Sequence, residues 1–188
     1  MDIVLVLYLL GLAAVLFAAY FFFASFVIGA GYQPTPPAVA QRMVEFAQVG
    51  PADHVVDLGA GTGALVFLSA RQGARVTGVE AEPLRFLLLR FRRATSPDRD
   101  RVEILRENMF DFPLQDATVV LMFLWPGAMT KLKPKLEQEL VPGARVVSYW
   151  HPVPGWTPVK EDPKHRVYYY VSNGAGGTAT GDVSQSAS

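Results

Sequence analysis

Hydrophobic residues are distributed along this chain in two different ways. Residues 3–30 form a nearly unbroken apolar stretch, and no charged side chain occurs between Asp2 and Arg42. As a helix rising about 1.5 Å per residue, this stretch is long enough to cross the ~30 Å hydrocarbon layer of a membrane. From Arg42 onward, short apolar runs alternate with polar segments, as they do in globular domains. The pattern predicts a transmembrane anchor at residues 1–31, in which residues 3–30 contact the lipid bilayer.

A cleaved signal peptide is the competing interpretation of the apolar stretch. A retained anchor is favoured because no basic region precedes the stretch, which is about twice as long as the apolar core of an ordinary signal peptide. Asp2 is the only charged side chain before it, whereas Arg42, Arg71 and Arg75 follow it. Since positive charges tend to stay in the cytoplasm, we expect a single-pass membrane protein with its domain on the cytoplasmic side.

The domain that follows alternates between strand-like and helix-like segments. Thr35-Pro36-Pro37 predicts the start of a helix, because proline is tolerated in a first turn. Helices are also predicted between successive strands, except between the third and fourth, where the connection leaves room for a short helix or none. This order is typical of an α/β fold with a mostly parallel sheet. The five predicted strands span residues 54–58, 75–80, 102–105, 118–123 and 144–150.

The C-terminal part of the chain has a different pattern. Two β-like runs at residues 156–160 and 166–171 flank a polar turn at 161–164, which predicts an antiparallel hairpin that completes a seven-stranded sheet. Residues 172–188 are rich in Gly, Ser, Thr and Ala, so they cannot bury a core and are predicted to be disordered. The globular domain is therefore expected at residues 32–171.

The helix predicted after the second strand combines apolar and basic residues. Its apolar side chains Leu84, Leu87, Leu88 and Phe91 lie on one face at helical spacing. A solvated face is the default interpretation of the basic residues, and contact with anionic lipid is the alternative. The arginines in and after this helix are Arg85, Arg90, Arg92, Arg93, Arg99 and Arg101.

A glycine-rich loop, Gly59-Ala60-Gly61-Thr62-Gly63, connects the first predicted strand to a helix. Such a turn places backbone N–H groups and a helix N-terminus beside a nucleotide. The loop also fits the G-x-G-x-x-A pattern of dinucleotide-binding folds. However, Asp57 would oppose a pyrophosphate and suits a cationic amino-acid group instead. Glu80, at the end of the second strand, can accept both ribose hydroxyls. Together they favour S-adenosylmethionine over a dinucleotide.

Two sequence segments, VVDLGAGTG and the VTGVE that ends in Glu80, resemble the first motifs of class I, seven-strand methyltransferases. Four more segments resemble a small protein-lysine methyltransferase family: YQPTPPAVAQRMVEFA, VVLMFLWPGAMTKLKPKLEQEL, PGARVVSYWHPVPGWTP and VYYY. The family includes archaeal broad-specificity enzymes and the mitochondrial enzymes that methylate lysine in the adenine nucleotide translocase and the ATP synthase c subunit. The resemblance covers residues 32–171 and implies a Rossmann-like fold with S-adenosylmethionine as cofactor.

The resemblance also implies which residues bind this cofactor. Asp57 and the glycines would line the methionine end, Glu80 would hold the ribose, and Asn108 and Met109 would contact the adenine. Many relatives have Asp in place of Asn108, and close mitochondrial relatives have Gly-Ser-Gly-Asp-Gly followed by Arg in the loop. The full expected set is Tyr32, Pro34, Thr35, Asp57, Gly59, Ala60, Gly61, Gly63, Glu80, Ala81, Asn108 and Met109.

The end of the fourth strand is the candidate acceptor pocket. Phe123 and Trp125 could form an apolar wall that lowers the pKa of a substrate amine by desolvation, although core packing is the alternative for both. Many small-molecule and nucleobase N-methyltransferases have an Asp/Asn-Pro-Pro-aromatic motif here, and this chain does not. His151, after the fifth strand, could accept a proton or simply cap the strand. Three scattered histidines and no cysteine predict no metal site.

The favoured function is therefore a membrane-anchored protein-lysine methyltransferase, with a lysine of a membrane protein as the acceptor. Residues 31–35 form so short a linker that the pocket would lie within roughly 20 Å of the bilayer. The same chemistry on a lipid, a quinone or another membrane-borne small molecule is the first alternative, and a non-catalytic cofactor-binding assembly factor is the second. The balance of 17 basic and 17 acidic residues argues against a nucleic-acid partner.

Overall fold

The structure is a computed structural model that describes residues 2–27 and 33–174, the side chains of residues 21–27 excepted. It divides into two compact units, Met1–Gln33 and Pro34–Ser188. The first unit contains helix α1, Ile3–Val27. The window Ile3–Tyr20 has a mean hydropathy of 2.6 and none of it is buried, so α1 is long and apolar enough to cross a membrane. A signal sequence near an N-terminus has the same length and composition.

The second unit is built on one sheet of seven strands. The strands are β1 His54–Leu58, β2 Arg75–Val79, β3 Val102–Leu105, β4 Val119–Met122, β5 Arg145–Tyr149, β6 Lys160–Asp162 and β7 Val167–Val171. Their order across the sheet is β3-β2-β1-β4-β5-β7-β6. The first five strands are parallel, and β7 is antiparallel to both β5 and β6. This confirms the predicted parallel sheet closed by an antiparallel hairpin.

Helices cover both faces of the sheet and bury two hydrophobic clusters. The helices are α2 Pro37–Ala47, α3 Ala64–Arg71, α4 Pro83–Thr95 and α5 Pro126–Glu139, with a short 3₁₀ turn at Arg99–Arg101. One cluster joins α2 and α3 to one face of the sheet. The other joins α5 and the segment between β3 and β4 to the opposite face. For that segment a short helix or none was predicted, and residues 106–118, all of which are described, contain none. The parallel strands thus end together at one edge, where the loops after β1, β2, β3, β4 and β5 meet.

The hairpin differs from its prediction. Only Lys160 of the predicted run at residues 156–160 is in a strand, and β6 continues through Asp162, which was predicted to lie in the turn. Trp156 is instead buried in a loop, where its indole N–H donates to the Glu137 carboxylate at 3.0 Å. Asp162 is fixed in β6 because it accepts a hydrogen bond from Arg42 at 2.8 Å. Side-chain partners from distant helices therefore decide where this strand begins and ends.

Residues 172–174, just after β7, contact the domain. Ser172 is buried, its N–H donates to the Ala144 carbonyl at 2.8 Å, and its carbonyl accepts from Gly143 at 2.7 Å. A Cβ on Gly174 would lie 2.8 Å from the ring of Pro142, so that residue also packs against the domain. The remainder of the predicted disordered tail, residues 175–188, lies outside the described residues.

Helix α4 packs on the sheet through an unexpected face. Its buried side chains are Arg85 and Leu89, and Leu87, Leu88 and Phe91 of the apolar stripe are exposed. Arg85 is held inside because its Nε lies 3.3 Å from the Glu80 carboxylate and 3.8 Å from that of Glu82. An ion-paired cation therefore occupies a core position that the sequence pattern would assign to an apolar residue.

Candidate active site

The glycine loop turns sharply at the end of β1. Gly59, Gly61 and Gly63 all have left-handed backbones, with φ of 77°, 57° and 86°, a conformation that costs glycine little. The N–H groups of Gly59 and Ala60 both donate to the Val79 carbonyl at 3.0 Å, which fixes the loop to the end of β2. Helix α3 then starts without any side-chain cap, so its first turn presents backbone N–H groups at this edge of the sheet.

Glu80 holds the tip of this loop from the next strand. Its carboxylate is buried and accepts hydrogen bonds from the N–H groups of Gly61 at 2.8 Å and Glu82 at 2.9 Å. The guanidinium of Arg85 balances its charge. Each carboxylate oxygen has a further lone pair, so Glu80 can still accept hydroxyl groups of a ligand. Glu80, the predicted ribose-binding residue, therefore also anchors the glycine loop.

Asp57 is the other acidic side chain at this edge, and it is fully buried. In the described part of the chain, no hydrogen bond or ion pair reaches its carboxylate. Burial, and secondly the nearby charge of Glu80, raise the pKa of Asp57 to about 7. A buried carboxylate without a partner is costly. A cationic group of a ligand would stabilise its charged form, so Asp57 and the glycine loop fit the ammonium and sulfonium of S-adenosylmethionine.

The other predicted cofactor residues are placed as follows. The backbone N–H of Glu80 donates to Leu105 at 3.1 Å, which brings the ends of β2 and β3 together, with Ala81 following Glu80. Asn108 forms a turn after β3, and its side-chain oxygen accepts from the N–H of Phe110 at 3.2 Å. Met109 packs against the second hydrophobic cluster. Pro34 and Thr35 lie just before α2, and Tyr32 lies outside the described residues.

Aromatic side chains meet at the ends of β4 and β5. We call this group, which consists of Phe123, Trp125, Tyr149, Trp150 and His151, the aromatic cluster. The rings of Phe123 and Tyr149 are 4.4 Å apart between centroids, and those of Trp125 and His151 are 6.2 Å apart. Phe123 is half-buried against the core, whereas Trp125 is 46% and Trp150 43% exposed. The structure therefore brings all three predicted acceptor residues, Phe123, Trp125 and His151, to one place.

Leu124 connects this cluster to the glycine loop. A Cβ on Gly59 would lie 3.3 Å from the Leu124 side chain, closer than most ordinary contacts. The loop after β4 therefore packs directly against the loop after β1. A ligand at the glycine loop and an acceptor at the aromatic cluster would be neighbours.

Trp150 of the aromatic cluster contacts Arg166, and both residues have strained backbones. Trp150 and Arg166 have left-handed backbones, with φ of 71° and 52°, which is costly for residues other than glycine. The Trp150 N–H donates to the Arg166 carbonyl at 2.8 Å, and the Arg166 guanidinium lies 4.2 Å above the Trp150 ring. Sequence reasoning missed Tyr149, Trp150 and Arg166. The Tyr-Trp pair directly before His151 was the available signal for the first two.

His151 is the one histidine at this edge. Partial burial, followed by the charge of Arg166, lowers the pKa of His151 below its usual value, which favours the neutral imidazole. His54 lies at the opposite end of the sheet, where its Nε2 pairs with the Thr77 hydroxyl at 2.9 Å. His165 pairs with Asp162 in the hairpin at 3.0 Å. Among the described residues, no three potential ligands come close enough to hold a metal ion.

This combination of strand order, glycine loop after β1 and acidic residue after β2 defines a class I S-adenosylmethionine-dependent methyltransferase. More particularly, the chain belongs to the family described as the ANTKMT methyltransferase domain, which it matches over residues 57–160. It is an enzyme, and its cofactor is S-adenosylmethionine.

The curated relatives include proteins that are named as lysine methyltransferases. A protein-lysine N-methyltransferase of Saccharolobus islandicus (strain REY15A) is 38% identical over 155 residues, which are 78% of this chain and 96% of the relative. The adenine nucleotide translocase lysine N-methyltransferase of Mus musculus is 34% identical over 134 residues, which are 70% of this chain and 58% of the relative.

A solved structure with the same fold has a different description. It is an RNA methyltransferase from Salinibacter ruber in complex with S-adenosyl-L-homocysteine, with a TM-score of 0.72 and 35% identity over 74% of this chain and 93% of that one. These relatives are all named as methyltransferases, and their names differ on the acceptor. The acceptor of this chain must be argued from its own residues.

Proposed function

We propose that this enzyme transfers a methyl group to lysine side chains of membrane proteins. The observation that carries the proposal is the aromatic cluster, in which the half-exposed indole of Trp125 lies 6.2 Å from the imidazole of His151, and Leu124, the residue before Trp125, packs against the position of Gly59 in the glycine loop. The lysine-specific names of the archaeal and mouse relatives support the same acceptor.

A lysine side chain must lose a proton before its nitrogen can attack a methyl group. With a reference pKa near 10.4, the neutral amine costs about 4.6 kcal/mol at pH 7. The rings of Trp125 and Phe123 would first attract the lysine cation and then lower its pKa by excluding water. His151 would accept the released proton. When bound, S-adenosylmethionine supplies the electrophilic methyl group; the chain supplies alignment and a dry site.

The cofactor would be held by side chains on three strand ends. Asp57 would pair with its ammonium, Glu80 would accept from its ribose, and Asn108 and Met109 would contact its adenine. The segment that contains Tyr32, Pro34 and Thr35 would close over it from the N-terminal side. The pairing of Asp57 is the best supported of these assignments, because this buried carboxylate lacks a partner among the described residues.

Membrane attachment is the second part of the proposal. Helix α1 would span the bilayer once, with the catalytic domain on the cytoplasmic side as the arginines after α1 favour. Residues 31–35 would then limit the distance between the domain and the bilayer to roughly 20 Å. Lysines in short loops of membrane proteins would be at high effective concentration there, and those of soluble proteins would not.

The test is to incubate the full chain with native membranes and S-adenosylmethionine that carries a radioactive methyl group. We expect the label to remain with protein and to be recovered as methyllysine after hydrolysis. The Asp57→Ala variant is the control for labelling by other enzymes. Label that extracts with lipid would replace lysine with a membrane-borne small molecule, and nuclease-sensitive label would identify RNA as the acceptor. Absence of any label above the control would contradict an acceptor in these membranes.

A further inference from the structure

Helix α4 has an apolar stripe that the domain leaves largely uncovered, in which Leu84 is partly buried and Leu87, Leu88 and Phe91 are exposed. Leu84, Leu87, Leu88 and Phe91 follow one another at helical spacing, and Leu87 is 57% and Phe91 68% exposed. The opposite face of the helix packs on the domain through Leu89. In the described part of the second unit, the other strongly exposed large apolar side chains are the two tryptophans of the aromatic cluster and two isolated valines. The stripe on α4 is thus a continuous apolar surface of a kind that globular domains rarely leave bare.

Arginines border this stripe. With 3.6 residues per turn, Arg90 and Arg92 flank it on its two sides, and α4 contains no acidic residue. Arg92 and Arg93 also serve the fold, because they donate to the carbonyls of Thr62 and Val102. Arg90 is exposed, and so are Arg99 and Arg101 in the following turn, where Asp98 and Asp100 alternate with them and Asp100 lies 3.8 Å from Arg99. The surface therefore combines an apolar stripe with several exposed cations, despite the zero net charge of the chain.

We propose that the outer face of α4 rests on an anionic lipid bilayer. Leu87, Leu88 and Phe91 would enter the boundary between headgroups and acyl chains, and the exposed arginines would meet lipid phosphates. An apolar stripe flanked by basic residues is the pattern of helices that lie in a membrane interface. The inference deepens the proposed membrane location, since α1 would bring the domain to the surface and α4 would fix which side faces it.

A bilayer accounts for both parts of the surface. In a second copy of the chain, the apolar stripes could pair, but the arginines beside them would repel each other. An RNA would neutralise the arginines and leave the leucines and Phe91 unexplained. The contact also reaches the active site, because the Arg92 guanidinium donates to the Thr62 carbonyl in the glycine loop and lies 4.7 Å from the Phe67 ring of α3. Seating α4 on the bilayer would therefore orient the cofactor loop relative to the membrane.

The absence of cysteine from the chain allows a direct test. The full chain carrying Leu87→Cys, labelled with a polarity-sensitive fluorophore, is placed in nanodiscs of phosphatidylcholine alone or mixed with phosphatidylglycerol. We expect a shift to shorter wavelength, with protection from an aqueous quencher, only in the anionic nanodiscs. Leu88→Cys provides a second label in case the first disturbs the fold. A label at the exposed Lys164→Cys in the hairpin is the control and should not respond.

Charge-reversal variants measure the contribution of the arginines to the docking of α4. At ~1 kcal/mol per basic residue near an anionic surface, Arg90→Glu with Arg99→Glu should lower the ratio of docked to undocked domain by at least ~25-fold. Arg71→Glu with Lys131→Glu changes the net charge equally at exposed positions outside α4 and should leave docking intact. Both double variants should methylate a soluble lysine peptide at the wild-type rate.

Several results would overturn this inference. In the fluorescence experiment, these are the lack of a spectral shift at residue 87 in anionic nanodiscs, or an equal shift without anionic lipid. An equal loss of docking in the two double variants would also overturn it, as would a shift that needs only RNA or a second copy of the chain in detergent. Resistance of the full chain to alkaline extraction from vesicles measures insertion of α1 separately. A silent α4 label with α1 inserted would reject the docking of α4 and leave the proposed anchoring and lysine methylation standing.

Discussion

The two halves of the candidate active site are constructed differently. The cofactor half, at the ends of β1 and β2, consists of left-handed glycines, backbone N–H groups and two buried carboxylates. The acceptor half, at the ends of β4 and β5, consists of aromatic side chains, two of them half-exposed, supported by strained residues at Trp150 and Arg166. Backbone groups and buried charge thus make up the proposed cofactor half, and aromatic side chains make up the proposed acceptor half.

This difference has a physical consequence. The glycine loop has a shape that no other residue types can easily adopt, so changes there should affect both folding and cofactor binding. In the aromatic cluster, Trp125 and Trp150 are half-exposed, so changes at these two positions should affect the acceptor and spare the fold. Leu124, which packs against the position of Gly59, is the described point where the two halves touch.

Loss of Glu80 should have the largest effect on the cofactor half. Glu80→Ala removes the acceptor of two backbone N–H groups and the carboxylate that lies 3.3 Å from the Nε of the buried Arg85. Breaking a buried ion pair from one side costs about 3–5 kcal/mol, and we expect a loss of this size in the free energy of unfolding. Glu80→Gln keeps one acceptor oxygen and should lose less. A Glu80→Ala protein as stable as wild type in thermal unfolding would contradict the role of Glu80 as the anchor of the loop.

Asp57→Asn should act in the opposite direction on stability. Since the pKa of Asp57 is raised to about 7, the folded wild type retains a proton that the unfolded chain releases near pH 4. The wild type therefore loses stability as the pH rises from about 4 to 7, and the Asp57→Asn variant does not. We expect the cofactor-free variant to be more stable by up to about 4 kcal/mol above pH 7 and equal to wild type below pH 4. Urea unfolding across this range measures the difference, and a difference that does not change with pH would refute the raised pKa.

Gly63→Ala should change the free energy of unfolding less than Glu80→Ala or Asp57→Asn. A Cβ there would lie 2.6 Å from a Leu89 methyl group and 2.7 Å from the Phe67 ring, at a φ of 86°. We expect a loss of about 1–3 kcal/mol from overpacking and backbone strain. Gly127→Ala is the matched control, because a Cβ in this first turn of α5 would meet nothing within 4 Å. Equal unfolding temperatures of the two variants would show that the loop tolerates side chains.

The comparison also explains what could be predicted from the sequence. The glycine loop, Asp57 and Glu80 follow from a contiguous strand-turn-helix segment and the strand beside it, and the structure has β1 at the predicted residues. The exposure of the apolar stripe on α4 could not be predicted from the sequence pattern. The helix buries its Arg85 side instead, and that burial depends on ion pairs with Glu80 and Glu82 in the preceding segment. Periodicity identifies one face of a helix and does not tell whether that face meets the core.

The acceptor half was predicted only in part. Phe123, Trp125 and His151 follow predicted strands, so their common location could be expected. The contact between Trp150 and Arg166 depends on the pairing of β7 with β5 and on left-handed backbones at residues other than glycine, and local patterns reveal neither. The strand predicted at residues 156–160 was wrong for a similar reason, since Trp156 packs against α5 through a side-chain contact distant in sequence.

Trp125→Ala should have the smallest effect on the molecule as a whole. The half-exposed ring contributes little to the core, so we expect thermal unfolding to remain near that of wild type. Loss of its contact with the lysine cation should lower kcat/KM for a lysine peptide roughly tenfold, about 1.4 kcal/mol. Trp125→Phe retains an aromatic face and should recover part of the rate. An unchanged kcat/KM for Trp125→Ala would remove this residue from the acceptor site.

The division between the two halves is tested most directly by measuring cofactor affinity and methyl transfer in the same two variants. By calorimetry, Asp57→Asn should bind S-adenosylmethionine about 10- to 100-fold more weakly, as expected for loss of a charged hydrogen-bond partner, and Trp125→Ala should bind it as wild type does. With saturating cofactor, Trp125→Ala should still be slow on the lysine peptide. Equal weakening of cofactor binding in both variants, or undiminished binding by Asp57→Asn, would contradict the account.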